Sequence, residues 1–199
     1  MKSADIGAQS GVPEDFCQPT RKGVITMPHP RRKHPRLKDY DYSQEGLYFI
    51  TVHIQNGAPL LSAVIPDAEK SAYEPSDVGV VLTQTGIIAQ QQLEELELRF
   101  DHLCVDSYVI MPTHIHAIFL LSIPPAGASP RPTIPAILCA YKSLTTRACN
   151  KKDATPGRKL FQTSFYEKIL RSEREYCRML QHIEENPIGC YFGRPDFYD

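Results

Sequence analysis

Stretches of strand and helix period alternate along this chain of 199 residues in an order that predicts an α+β fold. Its most economical form is a ferredoxin-like (RRM-like) antiparallel sheet with helices beside it. Three observations carry this. Leu47–Ile54, LYFITVHI, is dense in aromatic and β-branched residues, as a buried strand is. Residues 106–121, DSYVIMPTHIHAIFLL, are apolar on both sides of a break at Met111-Pro112-Thr113 and read as a hairpin. Three stretches of helical period fill the rest, giving strand, helix, two strands, helix, helix. Hairpin strands interleaved with helices are the mark of a layered α+β domain.

Residues 1–40 are rich in Pro, Gly, Ser and charge with little periodicity, and read as a flexible tail, basic at its end. After the first strand, Asn56-Gly57 supplies a turn. Residues 60–82 read as a loop with one short strand. The first helix is expected over 85–100, capped by Thr85, with Ala89, Leu93, Leu96 and Phe100 on its buried stripe. Strands at 104–111 and 114–122 follow, then a proline-rich loop over 123–135. The second helix, about 135–150, carries Pro135 in its first turn and sets Ile137, Tyr141, Leu144 and Ala148 on one face. Residues 151–159 form a polar loop and 161–170 a short extended piece. In the last helix Ser172 and Glu175 match a capping box. Tyr176, Met179, Leu180 and Ile183 make its stripe, and Asn186-Pro187 is expected to end it. The domain spans 41–190, and 191–199 form a C-terminal tail.

Composition is that of a globular protein, with 42% hydrophobic and 23% charged residues. No apolar run approaches a membrane span. The first residues lack the apolar core of a secretory signal. The six cysteines show no CxxC pair, as expected of reduced thiols in the cytoplasm. A formal net charge of −1 argues against nonspecific coating of nucleic acid. Local basic sets remain able to grip phosphates: Arg31, Arg32, Lys33 and Arg36 in one, Lys142 and Arg147 in another.

The chemistry centres on His114 and His116. Residues two apart in a strand share a face, so the two imidazoles point one way and Ile115 and Ala117 the other. Spacing alone fits either two satisfied half-buried histidines or a pair of metal ligands. On the last helix, His182 and Asn186 stand one turn apart on one edge.

Four ordered stretches carry a family likeness: RRKHPRLKDYDYSQEGLYFITVHIQN, YVIMPTHIHAIFLL, YKSLTTRACN and FQTSFYEKILRSEREYCRMLQHIEENP. Over about residues 31–188 the chain resembles the IS200-like, REP-associated tyrosine transposases of the HUH nuclease class. The resemblance implies a ferredoxin-like fold in which His114 and His116 hold Mg²⁺ or Mn²⁺, with Asn186 as third ligand. It implies cutting and joining of single-stranded or hairpin DNA through a 5′-phosphotyrosine, and a homodimer as the working form. The basic residues named above become its DNA contacts. One position departs from the pattern: the nucleophilic tyrosine is replaced by His182. His182 can attack phosphorus, act as a base or ligate the metal. Tyr176, nearly two turns earlier, is the substitute nucleophile, whereas Tyr166 and Tyr191 lie outside the expected register. The alternative is a DNA-binding relative that has lost strand transfer. A small zinc hydrolase ranks last, since spacings such as HExxH are absent.

Overall fold

The histidine strand lies in the interior of a four-stranded antiparallel sheet. The structure is a computed structural model that describes residues 41–66, 78–122 and 132–193, all within the unit His34–Asp199. Strands β1 (Gly46–His53), β4 (Leu103–Ile110), β5 (His114–Leu121) and β6 (Tyr166–Leu170) lie in the order β4-β5-β1-β6. Between β1 and β4 stand a separate hairpin, β2 (Ser62–Pro66) with β3 (Val78–Leu82), and the helices α1 (Gln84–Glu94) and α2 (Leu96–Arg99). Helix α3 (Ile134–Lys152) links β5 to β6, and α4 (Glu173–Tyr191) follows. Counting only the sheet strands, this is the βαββαβ arrangement of a ferredoxin-like fold.

Side-chain alternation divides the sheet into two faces. Tyr48, Ile50 and Val52 of β1 join Ile115, Ala117 and Phe119 of β5 in a core shared with Ala89 and Leu93 of α1 and Ile137 and Tyr141 of α3. On the other face Phe49 and Ile118 pack with Leu170, Met179 and Ile183 under α4. The histidine pair belongs to this second face.

Several boundaries differ from expectation, each for a local reason. Residues 60–82 hold two strands, because Ser62 and Val64 of β2 pair with Leu82 and Val80 of β3 across a segment outside the described residues. Helix α1 is capped by Thr83, not Thr85. The Thr83 hydroxyl oxygen accepts from the Gly86 amide at 3.1 Å while the hydroxyl donates to the Leu60 carbonyl at 2.6 Å. The expected 85–100 helix is two pieces meeting at Glu95, and Phe100 is extended. In α3 the buried stripe is Ile134, Ile137, Leu138, Tyr141, Thr145 and Cys149, so Leu144 and Ala148 sit at its margin. Thr145 is tolerated inside because its hydroxyl donates to the Tyr141 carbonyl at 2.8 Å.

Asn186-Pro187 does not stop α4, which runs on to Tyr191. Proline forfeits one helical hydrogen bond, but Pro187 and Asn186 are both buried, and that packing holds the turn. The helix ends instead at Gly193, whose φ of 65° is the left-handed geometry of a glycine stop. Its start follows the sequence. The Ser172 hydroxyl accepts from the Glu175 amide at 3.3 Å. The Glu175 carboxylate reaches back to the Arg171 amide at 2.7 Å, one residue earlier than the simplest capping box.

Candidate functional site

Strand β5 brings His114 and His116 to the α4 face with ring centroids 4.5 Å apart. His116 is fully buried and His114 nearly so. Helix α4 lowers His182 onto them, its ring 5.0 Å from that of His116. Asn186, one turn on and buried, places its amide nitrogen 3.5 Å from His182 Nε2, the outer limit of a hydrogen bond. Phe49 stacks on His116 at 5.3 Å and 25° and meets the His182 ring edge-on at 5.8 Å. The three imidazoles singled out on β5 and the last helix therefore converge, with Asn186 beside His182.

Two threonines hold the β5 rings. Thr51 Oγ1 lies 3.0 Å from His116 Nδ1, a contact from the neighbouring strand. Thr113 Oγ1 lies 3.0 Å from His114 Nδ1. With both Nδ1 atoms engaged, Nε2 is the ring atom that would be left for a ligand, and the hydroxyls fix ring orientation as outer-shell partners do. Where Nδ1 carries the proton, Nε2 keeps the lone pair that a cation needs.

Sequence reasoning missed Thr51, Thr113 and His53. His53 pairs with His114 in the β1–β5 register, its ring 5.5 Å away, so a third strand-borne imidazole borders the pair. Its position at the end of β1, two residues past Thr51 and four past Phe49, gave the face. Only the register gives the neighbour.

Other expected site residues lie elsewhere. The Tyr176 hydroxyl donates to Asp106 at 2.9 Å. Asp106 is the extra residue of a bulge between Val105 and Ser107. That carboxylate raises the phenol above its usual range. Tyr176 lines a cavity of about 650 Å³ with Leu47, Leu120, Leu170 and Arg171, at the end of the sheet remote from His53 and His114. Lys142 on α3 donates to the carbonyls of Gln162 (2.8 Å), Thr163 (3.1 Å) and Ser164 (2.9 Å). It ties the approach to β6 rather than facing the histidines. Arg147 is exposed on α3. Arg31, Arg32, Lys33 and Arg36 lie outside the described residues.

Among the described residues, no group of three or more His, Cys, Asp and Glu side chains is arranged as a metal cage. The set that would hold a cation in line with the sequence expectation is of another composition, two imidazoles and a carboxamide. Its fit rests on the two Nδ1-bound hydroxyls and on the burial of His114, His116 and Asn186. None of the five described cysteines is in a disulfide, and no described helix is long and apolar enough to cross a membrane.

The antiparallel α+β architecture is one this chain shares with a solved transposase structure. The solved structure of a REP-associated tyrosine transposase bound to a REP hairpin has a TM-score of 0.54 to this chain at 18% identity. The match covers 78% of this chain and 74% of that one. A Haemophilus influenzae protein described only as uncharacterized is 28% identical over 174 residues, 79% of this chain and 88% of its own length. No family model matches the sequence.

Proposed function

We propose that this protein is a transposase-like enzyme that cuts and rejoins single-stranded DNA at a divalent-cation site formed by His114, His116 and Asn186. The convergence of imidazoles from β5 with His182 and Asn186 from α4, the β5 rings pinned by Thr51 and Thr113, is the observation that supports it. Bound there, Mg²⁺ or Mn²⁺ would supply Lewis acidity to the scissile phosphate.

The chain's own residues do the rest. Thr51 and Thr113 hold the aim of the two rings and, with a protonated Nδ1 donating to each hydroxyl oxygen, would leave each Nε2 lone pair for the cation. Phe49 closes the floor beneath His116 and His182 and keeps water from it. His182 Nε2 takes up the Asn186 amide nitrogen, which makes Oδ1 the ligating atom of that side chain. His182 is in this account a positioning residue. The substrate class is a hairpin with single-stranded flanks: the fold neighbour is solved on a REP hairpin, and a paired stem can be recognised by shape while its flank is read base by base. The place of work is the cytoplasm, the compartment in which thiols such as these stay reduced.

One observation favours a second reading: position 182 carries imidazole where the family likeness calls for tyrosine. A chain that only binds hairpin DNA fits that loss. Incubation of the purified protein with end-labelled hairpins and Mn²⁺ separates the two. Cleavage that disappears in His114→Ala is expected. Tight hairpin binding without cleavage at any flank would establish the binding-only protein instead.

A further inference from the structure

Over residues 147–159 the chain carries five basic residues, Arg147, Lys151, Lys152, Arg158 and Lys159, against one acidic residue, Asp153, in a protein of formal net charge −1. Asp153 engages two of them. Its carboxylate accepts from the Arg158 guanidinium at 2.7 Å and lies 3.9 Å from the Lys152 ammonium. Arg147, Lys151 and Lys159 are exposed, and none of the three forms an ion pair with another described residue. We propose that these three residues hold the paired stem of a DNA hairpin beside the histidine site, an inference that rests on the hairpin-substrate reading above.

The loop that carries them has a fixed shape. Asn150, near the end of α3, donates its side-chain amide to the Arg158 carbonyl at 2.8 Å and accepts from Arg158 Nε at 3.1 Å. The Asn150 backbone carbonyl accepts from the Thr155 amide at 3.0 Å. Ala154 at φ 51° and Gly157 at φ 81° turn the chain between these clamps. A loop already ordered loses little freedom on binding.

Register sets it beside the site. Ile54 bridges to Phe161, the Gln162 amide donates to the His53 carbonyl at 2.9 Å, and the Gln55 amide donates to the Leu160 carbonyl at 2.8 Å. Gln162 thus stands next to His53, which is itself paired with His114. Lys159 is three residues before Gln162, at most about 10 Å of chain. At 3.4 Å of duplex axis per nucleotide, that is about three phosphates. Arg147 and Lys151 stand one turn apart on α3, about 6 Å, the span of about two more.

The helix dipole accounts for Lys151 in the last turn of α3. It does not account for Lys159, beyond the Gly157 turn, or for Arg147, a turn earlier. Residues 147–160 contain no aromatic side chain. Single strands are held by stacking bases on aromatic platforms, whereas Lys and Arg grip phosphates without regard to sequence. A basic surface without aromatic residues therefore fits the stem, whose bases are turned inward, and not the flank.

The test is fluorescence anisotropy of the full chain with a hairpin, and with its flank alone as a single strand, over a range of salt. The Arg147→Gln, Lys151→Gln, Lys159→Gln triple variant removes charge from exposed positions, and an unchanged melting temperature verifies the fold. The expected result is a slope of log affinity against log salt shallower by about three for the hairpin, about one per phosphate contact, with flank binding unchanged. The charge-keeping triple Arg147→Lys, Lys151→Arg, Lys159→Arg retains the wild-type slope. A glutamine variant with the wild-type hairpin slope overturns the surface, and nicking by that chain with Mn²⁺ leaves strand cleavage standing. Equal losses on hairpin and flank overturn the stem as the occupant. Wild-type binding without nicking, its slope reduced in the glutamine variant, supports the surface and removes the cleavage reading. A wild type that binds no hairpin overturns both.

Discussion

Thr51 decides more about the histidine pair than any charged residue near it. Its hydroxyl is buried and within 3.0 Å of His116 Nδ1, so in the proposed site Nε2 is the nitrogen that would face a ligand. Thr51→Val keeps the shape and removes the contact. The expected outcome is a loss of Mn²⁺ affinity on the order of 10–100-fold, the usual size for an outer-shell partner, with the fold intact; calorimetric titration measures it. Lys142 makes a second prediction at this scale. Three carbonyls favour its ammonium, but burial is the larger effect and pulls it from 10.5 to about 8. The burial penalty is fully present below pH 8. Between about 8 and 10.5 the unfolded chain holds more protons than the folded one, so stability from this group rises with pH. Lys142→Met should flatten that rise and cost about 1–3 kcal/mol through the stranded carbonyls. It should leave the salt dependence of hairpin binding unchanged, whereas a phosphate contact would lower the slope by about one. His114 and His116 were legible because strand period alone puts them on one face. Thr51 and His53 were not, since their nearness to the pair is set by strands 60 or so positions apart coming into register.

At the scale of elements, the helix starts depend on small residues in tight places. A Cβ on Gly86 would collide with the Leu61 carbonyl, whose oxygen also accepts from the Thr83 amide at 2.9 Å. The first turn of α1 is pressed against backbone there. Gly86→Ala is expected to destabilise by about 1–3 kcal/mol despite alanine's better helix propensity; urea unfolding reads it, and a neutral result would mean that the turn can move away. The same tightness explains the misplaced cap. Thr83 and Thr85 are both good N-cap residues, and the choice falls to Thr83 because its hydroxyl also serves the Leu60 and Leu61 carbonyls. Elements with strong period were readable: β1, β5, α3 and the start of α4. The β2–β3 hairpin was not, because its strands are short and partly exposed and lack the alternation that marks a face. The continuation of α4 past Pro187 was hidden for a related reason. Local propensity favours a stop, and only the packing of Ile183, Asn186 and Pro187 under the helix overrides it.

Across the whole molecule, one sheet separates two tasks. Its α1–α3 face carries the larger core and includes Tyr141, whose buried hydroxyl donates to the Ala89 carbonyl at 3.1 Å. Its α4 face is thinner, with a small apolar cluster and then the line of His53, His114, His116 and His182. The order strand, helix, two strands, helix, helix was enough to anticipate a layered α+β domain with an antiparallel sheet, and βαββαβ connectivity leaves one face of such a sheet for a further helix. What stands on the open face depended on side-chain register. The most direct test of the cation site is electron paramagnetic resonance of the chain loaded with one equivalent of Mn²⁺, resolving nitrogen couplings. Bound Mn²⁺ coupled to imidazole nitrogens in the wild type, with that coupling lost in the His114→Ala, His116→Ala double variant, is the predicted result. A spectrum of aqueous Mn²⁺, or one the double variant leaves unchanged, would contradict it.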